Sequence, residues 1–366
     1  MPTIQRLLRL LTLLVLPAYA AAMPVSPAPL FTLTVLPTDF AGVKINASGQ
    51  VVGTFNDAAA IWTRAGVTTF DGMPAGSLGS AINDRGDIAG SWNENVFVYS
   101  NGTFANLGKP LDSVGPISAL GINNAGQVAG NYIGEGYTRG FLYTDGQFET
   151  IGTYSGIGNS SVRGLNNGGS VVGWSTTGAA DTPMHALLYA NRTLEDIGTF
   201  PGAMSSSAQD INDAGQIVGM SGSRPFVYKD GTMRDIGAAR DLFAEGLAIN
   251  DAGTVVGVGD YLADGAFEPY AFIYTNGRNF DLNTRIADIG DWALDFAVDV
   301  NEAGQILAWG CAFHGPCGSL LLDPVTAVPE PAHGMLLAAG LVLLAGAKKH
   351  YGRERRAYCC QGKSAL

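Results

Sequence analysis

The chain has 366 residues, a formal net charge of −11, 50 glycines and 46% hydrophobic residues. An acidic balance makes nucleic acid and anionic membrane surfaces poor partners. Abundant glycine beside short Val, Ile and aromatic runs points away from helical bundles and towards an all-β chain.

The first stretch stands apart from the fold. Arg6 and Arg9 flank and interrupt an apolar run over 7–16, and Pro17-Ala18-Tyr19-Ala20-Ala21-Ala22 offers small residues for cleavage. The pattern reads as a secretory signal peptide over 1–22; the run falls short of the ~20 residues a membrane span needs. Residues 23–30, rich in Pro and Ala, form a flexible start to the mature chain.

From residue 31 the chain repeats one phrase, clearest as Asp210-Ile211-Asn212-Asp213-Ala214-Gly215-Gln216-Ile217-Val218-Gly219. Its Asn recurs at Asn46, Asn83, Asn123, Asn166, Asn212, Asn250 and Asn301, spaced 37, 40, 43, 46, 38 and 51 residues apart. Three residues after each Asn comes a Gly, from Gly49 to Gly304. The phrase is a hairpin. Asn bonds the backbone two residues on, and the Gly supplies the positive φ of a turn closed by a bulge. The Asn-Asp pairs are therefore turn chemistry, and the alternating ligands and closing bidentate Glu of a calcium loop are missing.

An aromatic-aliphatic triplet follows each phrase: Ile61-Trp62-Thr63, Phe97-Val98-Tyr99, Phe141-Leu142-Tyr143, Leu187-Leu188-Tyr189, Phe226-Val227-Tyr228, Phe272-Ile273-Tyr274 and Leu320-Leu321-Leu322. Hairpin dipeptides such as Asn101-Gly102 and Asp230-Gly231 come next. A fourth strand then appears, as in Phe104-Ala105-Asn106-Leu107-Gly108, with a version at Phe70 to Pro74 in the first repeat. The seventh repeat lacks it, whereas Leu33-Thr34-Val35-Leu36-Pro37 supplies the same form ahead of the first phrase. An array of four-stranded repeats offset by one strand predicts a seven-bladed β-propeller over 31–325, closed by an N-terminal strand. Closure leaves only short, protected edges. An open solenoid, the rival, would want caps and no offset strand. The one sizeable irregular stretch is 257–299.

Only Cys311 and Cys317 fall between the two chain ends, and an oxidising compartment allows them to pair and staple one loop, with free thiols as the alternative. Catalytic motifs are absent: no Gly-x-Ser-x-Gly, no His-Glu-x-x-His, and only His185 and His314 between residues 23 and 328. His185 reads as packing at a strand start, and His314 alone makes no zinc site. No cofactor motif or metal ligand set is evident between the chain ends. Asp87, Asp213 and Asp251 sit at the repeated turn and read as structure, while Trp92 and Trp174 follow second strands and read as blade-to-blade packing rather than sugar-stacking platforms.

The C-terminal end carries the most specific signal. Val328-Pro329-Glu330-Pro331, within a linker over 326–334, precedes an apolar helix at 335–347 and then Lys348, Lys349, Arg353, Arg355 and Arg356 in a basic tail, 348–366. A short apolar segment followed by basic residues stops in the membrane with the basic end cytoplasmic. In order and content the three parts resemble the PEP-CTERM sorting signal. That resemblance implies an exosortase-type membrane protease as partner, cleavage near the Pro-Glu-Pro motif, transient inner-membrane insertion and a destination at the cell surface or outside it. Its hosts are typically Gram-negative bacteria that make exopolysaccharide. This chain runs on through 357–366, past where such tails usually stop. The turn phrase with its aromatic strand also resembles the HAF-type extracellular repeats of secreted bacterial proteins.

With both ends removed, residues 23–328 hold 13 Lys/Arg and 30 Asp/Glu, a net charge of −17, as suits a solvated extracellular domain. The expected function is that of a non-enzymatic surface or extracellular-matrix protein binding polysaccharide or another protein through a propeller face. The alternative is a secreted carbohydrate-active enzyme, a glycoside hydrolase or lyase, on the same ring, for which no acid pair is identifiable.

Overall fold

The computed structural model describes residues 30–325 apart from 71, 75, 179–182, 239, 240 and 264. The signal peptide at 1–22, most of 23–30, the Pro-Glu-Pro motif, the apolar helix at 335–347 and the basic residues Lys348 to Arg356 lie outside the described residues. Among those described, no helix is long and apolar enough to cross a membrane.

Seven four-stranded antiparallel sheets follow one another along the chain. Blades 1 to 6 span 40–69, 78–108, 113–151, 160–196, 206–235 and 243–281, and blade 7 takes 292–324 together with Phe31–Val35. Blade 5 shows the plan: an inner strand Ser206–Ile211, then Ile217–Ser221, Arg224–Lys229 and an outer strand Thr232–Asp235. The outermost strand of blade 7 is Phe31–Val35, which pairs antiparallel with Cys317–Pro324 from Phe31↔Pro324 to Val35↔Leu320. The ring is thus closed by the N-terminal strand, as the offset in the repeats predicts.

Packing between neighbouring blades forms the core. Between blades 2 and 3, for example, Ala81, Ala89 and Val96 meet Ile117, Ala119, Ile122 and Val128. The first residue of the aromatic triplet is buried, as at Phe97, Phe141, Phe226 and Phe272, and in blades 2, 3 and 6 its ring crowds the glycine opposite it. A Cβ on Gly90 would come within 2.6 Å of Phe97 and 2.0 Å of the Leu78 carbonyl. That is why six of the seven phrases end in Val-Gly or Ala-Gly, a place of close approach and not a turn; blade 7 has Ala308 there, opposite Leu320 rather than an aromatic ring. Beside this position every inner strand carries a register shift, between Gly42 and Lys44 in blade 1 and between Ala208 and Asp210 in blade 5. Such a bulge leaves one residue unpaired and bends the strand.

The turn itself is as expected. Gly49, Gly86, Gly126, Gly169, Gly215, Gly253 and Gly304 all have positive φ, between 73° and 82°. Each Gly N–H donates to the Asn carbonyl three residues back, as Gly215 does to Asn212 at 3.1 Å.

Register corrects two readings in blade 1. Val51 faces Trp62, as Ile88 faces Tyr99, so the triplet is Ala60-Ile61-Trp62 rather than Ile61-Trp62-Thr63. Trp62 in turn faces Val67, and the outer strand is Gly66–Thr69 rather than Phe70 to Pro74. Phe70 instead packs on Tyr99 of the next blade, ring centroids 4.5 Å apart. The irregular stretch in 257–299 is a long hairpin, Val255–Ala263 with Ala266–Thr275, and a 3-10 turn at Leu282–Arg285.

Candidate functional site: the axial channel

Each inner strand runs to its Asn turn at one end of the ring, here called the turn face. Antiparallel alternation puts the hairpins between second and third strands, and the blade-to-blade connections, at the other end, the loop face.

At the turn face the seven asparagines do more than shape turns. The side-chain nitrogen of Asn46 donates to the carbonyl of Asn83 in the next blade at 3.0 Å. The same bond links Asn83 to Asn123, Asn123 to Asn166, Asn166 to Asn212, Asn212 to Asn250 and Asn250 to Asn301. Asn301 then donates to Asn46 at 2.8 Å, and the circle is complete. All seven side chains are buried. Their oxygens meanwhile accept backbone N–H groups of their own turns, for Asn123 those of Ala125 and Gln127 at 3.1 and 3.0 Å. One side chain therefore uses donors and acceptors together, holding its own turn and the neighbouring blade.

A second, exposed tier stands one residue further on. The N–H of Ala47 donates to Asp84, that of Asp84 to Asn124, Asn124 to Asn167, Asn167 to Asp213, Asp213 to Asp251, and Asp251 to Glu302, at 2.8 to 3.1 Å. The seventh position is Ala47, whose side chain offers no acceptor to Glu302. Four carboxylates thus ring the channel mouth; burial, with Asp251, Asp213 and Asp84 adding to it, raises the Glu302 pKa despite the bond from the Asp251 N–H.

Below the Asn ring lies a chamber of about 160 Å³, with Ile45, Ile82, Ile122 and Leu165 lining both it and the mouth above. Its wall comes from the residue just before each Ile-Asn and from the bulged residue before that. In four blades the first of these positions holds Ala81, Gly121, Gly164 and Ala248; in the other three it holds Lys44, Asp210 and Asp299. Lys44 Nζ lies 3.3 Å from Asp299 Oδ1, an ion pair between the first and last blades. Asp299 also accepts the Ile45 N–H at 2.8 Å, and Asp210 accepts the Ile249 N–H at 3.0 Å.

The electrostatics follow from that crowding. Burial works against the Lys44 charge, but Asp299 and Asp210 outweigh it and hold its pKa above the usual lysine range. Burial also raises Asp210, which Asp299 assists and Lys44 opposes, and its carboxyl is pushed up to about 6. The bulged position adds Arg163, which is exposed and lines the same chamber. Among the described residues Arg163 forms no hydrogen bond; its charge helps Gln209 restrain the burial-driven rise of the Glu245 pKa.

The residues singled out from sequence fall elsewhere. Cys311 and Cys317 are disulfide-bonded across the last hairpin of blade 7, holding Phe313 and His314 at its exposed tip, ring centroids 4.1 Å apart. His185 Nδ1 lies 2.8 Å from Asp196 Oδ2 in its own blade's outer strand. Asp213 and Asp251 serve the exposed tier. Asp87 accepts bonds from Asn83, Ser100 and Arg85, which outweigh its burial and lower its pKa. Trp92 packs edge-on against Phe104, centroids 5.8 Å apart, and Trp174 is half-buried. Among the described residues no three His, Cys, Asp or Glu side chains are grouped as a metal would need. Sequence reasoning passed over Lys44, Arg163, Asp210 and Asp299. Stacking the seven phrases and reading the column before Ile-Asn would have found three of them.

Comparison with known proteins bears on the fold alone. No family model matches the chain, and no curated protein does. Among solved structures, the β-propeller domain of the Trilobed protease from Pyrococcus furiosus is similar at 11% identity and TM-score 0.53, over 83% of this chain and 98% of that one. U3-55K is similar at 11% identity and TM-score 0.51, over 80% and 98%. The protease domain is described as having an open velcro topology; this ring, in contrast, is joined through its N-terminal strand.

Proposed function

We propose that this chain is an exported bacterial surface or matrix protein that binds polysaccharide or protein through its loop face and does no chemistry there. One observation carries the reading: the two faces are differently finished. The turn face is lined around the axis by the Asn ring and its polar second tier. Large exposed apolar side chains gather on the loop face, among them Val114 (73% exposed), Met204 (77%), Phe267 (67%) and Phe313 (78%). Apolar side chains exposed on one face and not the other suit partner binding there, and the Cys311–Cys317 disulfide closes the loop that carries Phe313.

Phe31 and Pro324 pair with each other at the turn-face end of blade 7, so the propeller's first and last strands meet on the face opposite these apolar side chains. The sorting tail in this reading inserts transiently in the inner membrane and is cut near Glu330 by an exosortase-type protease.

Glycan-array and polysaccharide pull-down with residues 30–325, beside a Phe267→Ser/Phe313→Ser variant, tests the binding. Capture lost in the variant supports the loop face; equal capture removes it. The runner-up, a carbohydrate-active enzyme, draws on the axial pair Asp210 and Asp299. It predicts release of reducing sugar that Asp210→Asn abolishes.

A further inference from the structure

The chamber holds more charge than a strut across the ring needs. Lys44 and Asp299 by themselves tie blade 7 to blade 1. Asp210 and Arg163 reach the same space from blades 5 and 4, and Glu245 of blade 6, bonded by Gln209, stands close enough to feel Arg163. Apart from Lys44, Asp210, Asp299, Arg163 and Gln209, the two columns that wall the chamber hold Ala, Gly, Ser, Val or Leu. Lys44 spends one hydrogen bond, a long one at 3.3 Å, and Arg163 none among the described residues. Two cationic groups with unspent donors thus face carboxylates with unspent acceptor capacity.

We propose that the chamber binds a small hydroxy acid of the sugar-acid class, such as the end unit of a uronic-acid-containing polysaccharide. Arg163 takes the carboxylate, since its planar fork matches two carboxylate oxygens, with Lys44 as the second positive charge. Asp210 and Asp299 accept from the hydroxyls. The volume of about 160 Å³ is well below the ~300–1,000 Å³ of drug-sized sites, so it suits one sugar unit rather than a chain. A bare anion such as sulfate has no donors to offset its approach to the acidic side chains. A neutral sugar leaves Arg163 unmatched. The ligand class deepens the polysaccharide half of the proposed function and rests on it.

The test is calorimetric titration of the full chain in detergent micelles with D-glucuronate, D-glucose and sodium sulfate at pH 7. Glucuronate is expected to bind at least tenfold tighter than the other two. Arg163→Gln should weaken it at least tenfold with the thermal midpoint unchanged, because Arg163 is exposed and holds no hydrogen bond. Arg163→Lys should restore part of the loss. No glucuronate binding by the unaltered protein, sulfate binding as tight as glucuronate, or full affinity in Arg163→Gln would each overturn the assignment. The Phe267→Ser/Phe313→Ser variant separates the two proposals, since neither residue lines the chamber. Its failure to lose polysaccharide capture sinks the loop face, while its glucuronate affinity still reports on the chamber.

Discussion

Replacing Asn123 by Ala removes one link of the buried ring and four hydrogen bonds with it. Two are to the N–H groups of Ala125 and Gln127, one to the Gln127 side chain at 2.7 Å and one to the Asn166 carbonyl at 3.1 Å. The Gln127 side chain keeps its bond to Thr144. The Asn166 carbonyl and the two N–H groups lose a partner each in a place with little water. A buried polar group left unmatched costs about 1–3 kcal/mol, and partial relief by water brings the sum to about 3–5 kcal/mol. Asn124→Ala is the internal control. That residue makes comparable bonds, to Asp84 at 3.0 Å through both side chain and backbone, but on the exposed tier, where water replaces them for less than about 1 kcal/mol. Urea denaturation followed by near-ultraviolet circular dichroism gives both numbers. If the two variants lose the same stability to within 0.5 kcal/mol, about the error of such a comparison, the ring is ornament and the reasoning fails.

Gly215→Val should cost about 1–3 kcal/mol through strain at φ +73. Gly222 is no control, because its own φ is +63; Gly152, with open space around it and ordinary φ, should tolerate the same change. Deleting residues 31–37 strips the outer strand from blade 7 and should yield aggregation or a marked fall in melting temperature, whereas an unchanged melt would refute closure by this strand. The folded pKa of Asp210, about 6, lies above the usual value, so the folded protein holds the extra proton between about pH 4 and 6. Its contribution to stability is full below that window and is lost as pH rises through it. A shift of this size is worth about 3 kcal/mol at most and, with water in the channel, about 1–2 kcal/mol. Asp210→Asn should flatten that part of a melting-temperature profile, and a profile of unchanged slope would count against the placement of the carboxyl.

The ring was legible because its signals are local and repeated. Asn, Gly and the hairpin dipeptides mark turns wherever they occur, and one strand form displaced to the front of the chain announced closure. Where two apolar residues compete for one role, pattern gave way to register. In blade 1 Val67 and Phe70 both suit an outer strand, and only the pairing of Trp62 with Val67 decides. The Asn side chains illustrate another limit. Their bonds to their own turns follow from sequence distance, but the donor that crosses to the next blade depends on how closely seven wedges crowd the axis. The chamber was hidden for the same reason: Lys44 and Asp299 are 255 residues apart and meet only because the circle joins. Charged residues in a variable column look like noise until the column is known to face a common axis.

The belt of asparagines has no beginning. Each blade brings one donor for its successor and one carbonyl for its predecessor, so the join between blades 7 and 1 at the axis is the same bond as the other six. Duplication of any single unit would therefore arrive with both halves of its new contacts already encoded. Loss of a unit would leave matching halves to meet. On this logic the copy number of the repeat can drift by whole units through unequal recombination, limited by how tightly the wedges fill the circle. Circular permutants cut in any connection on the loop face should keep the belt unbroken.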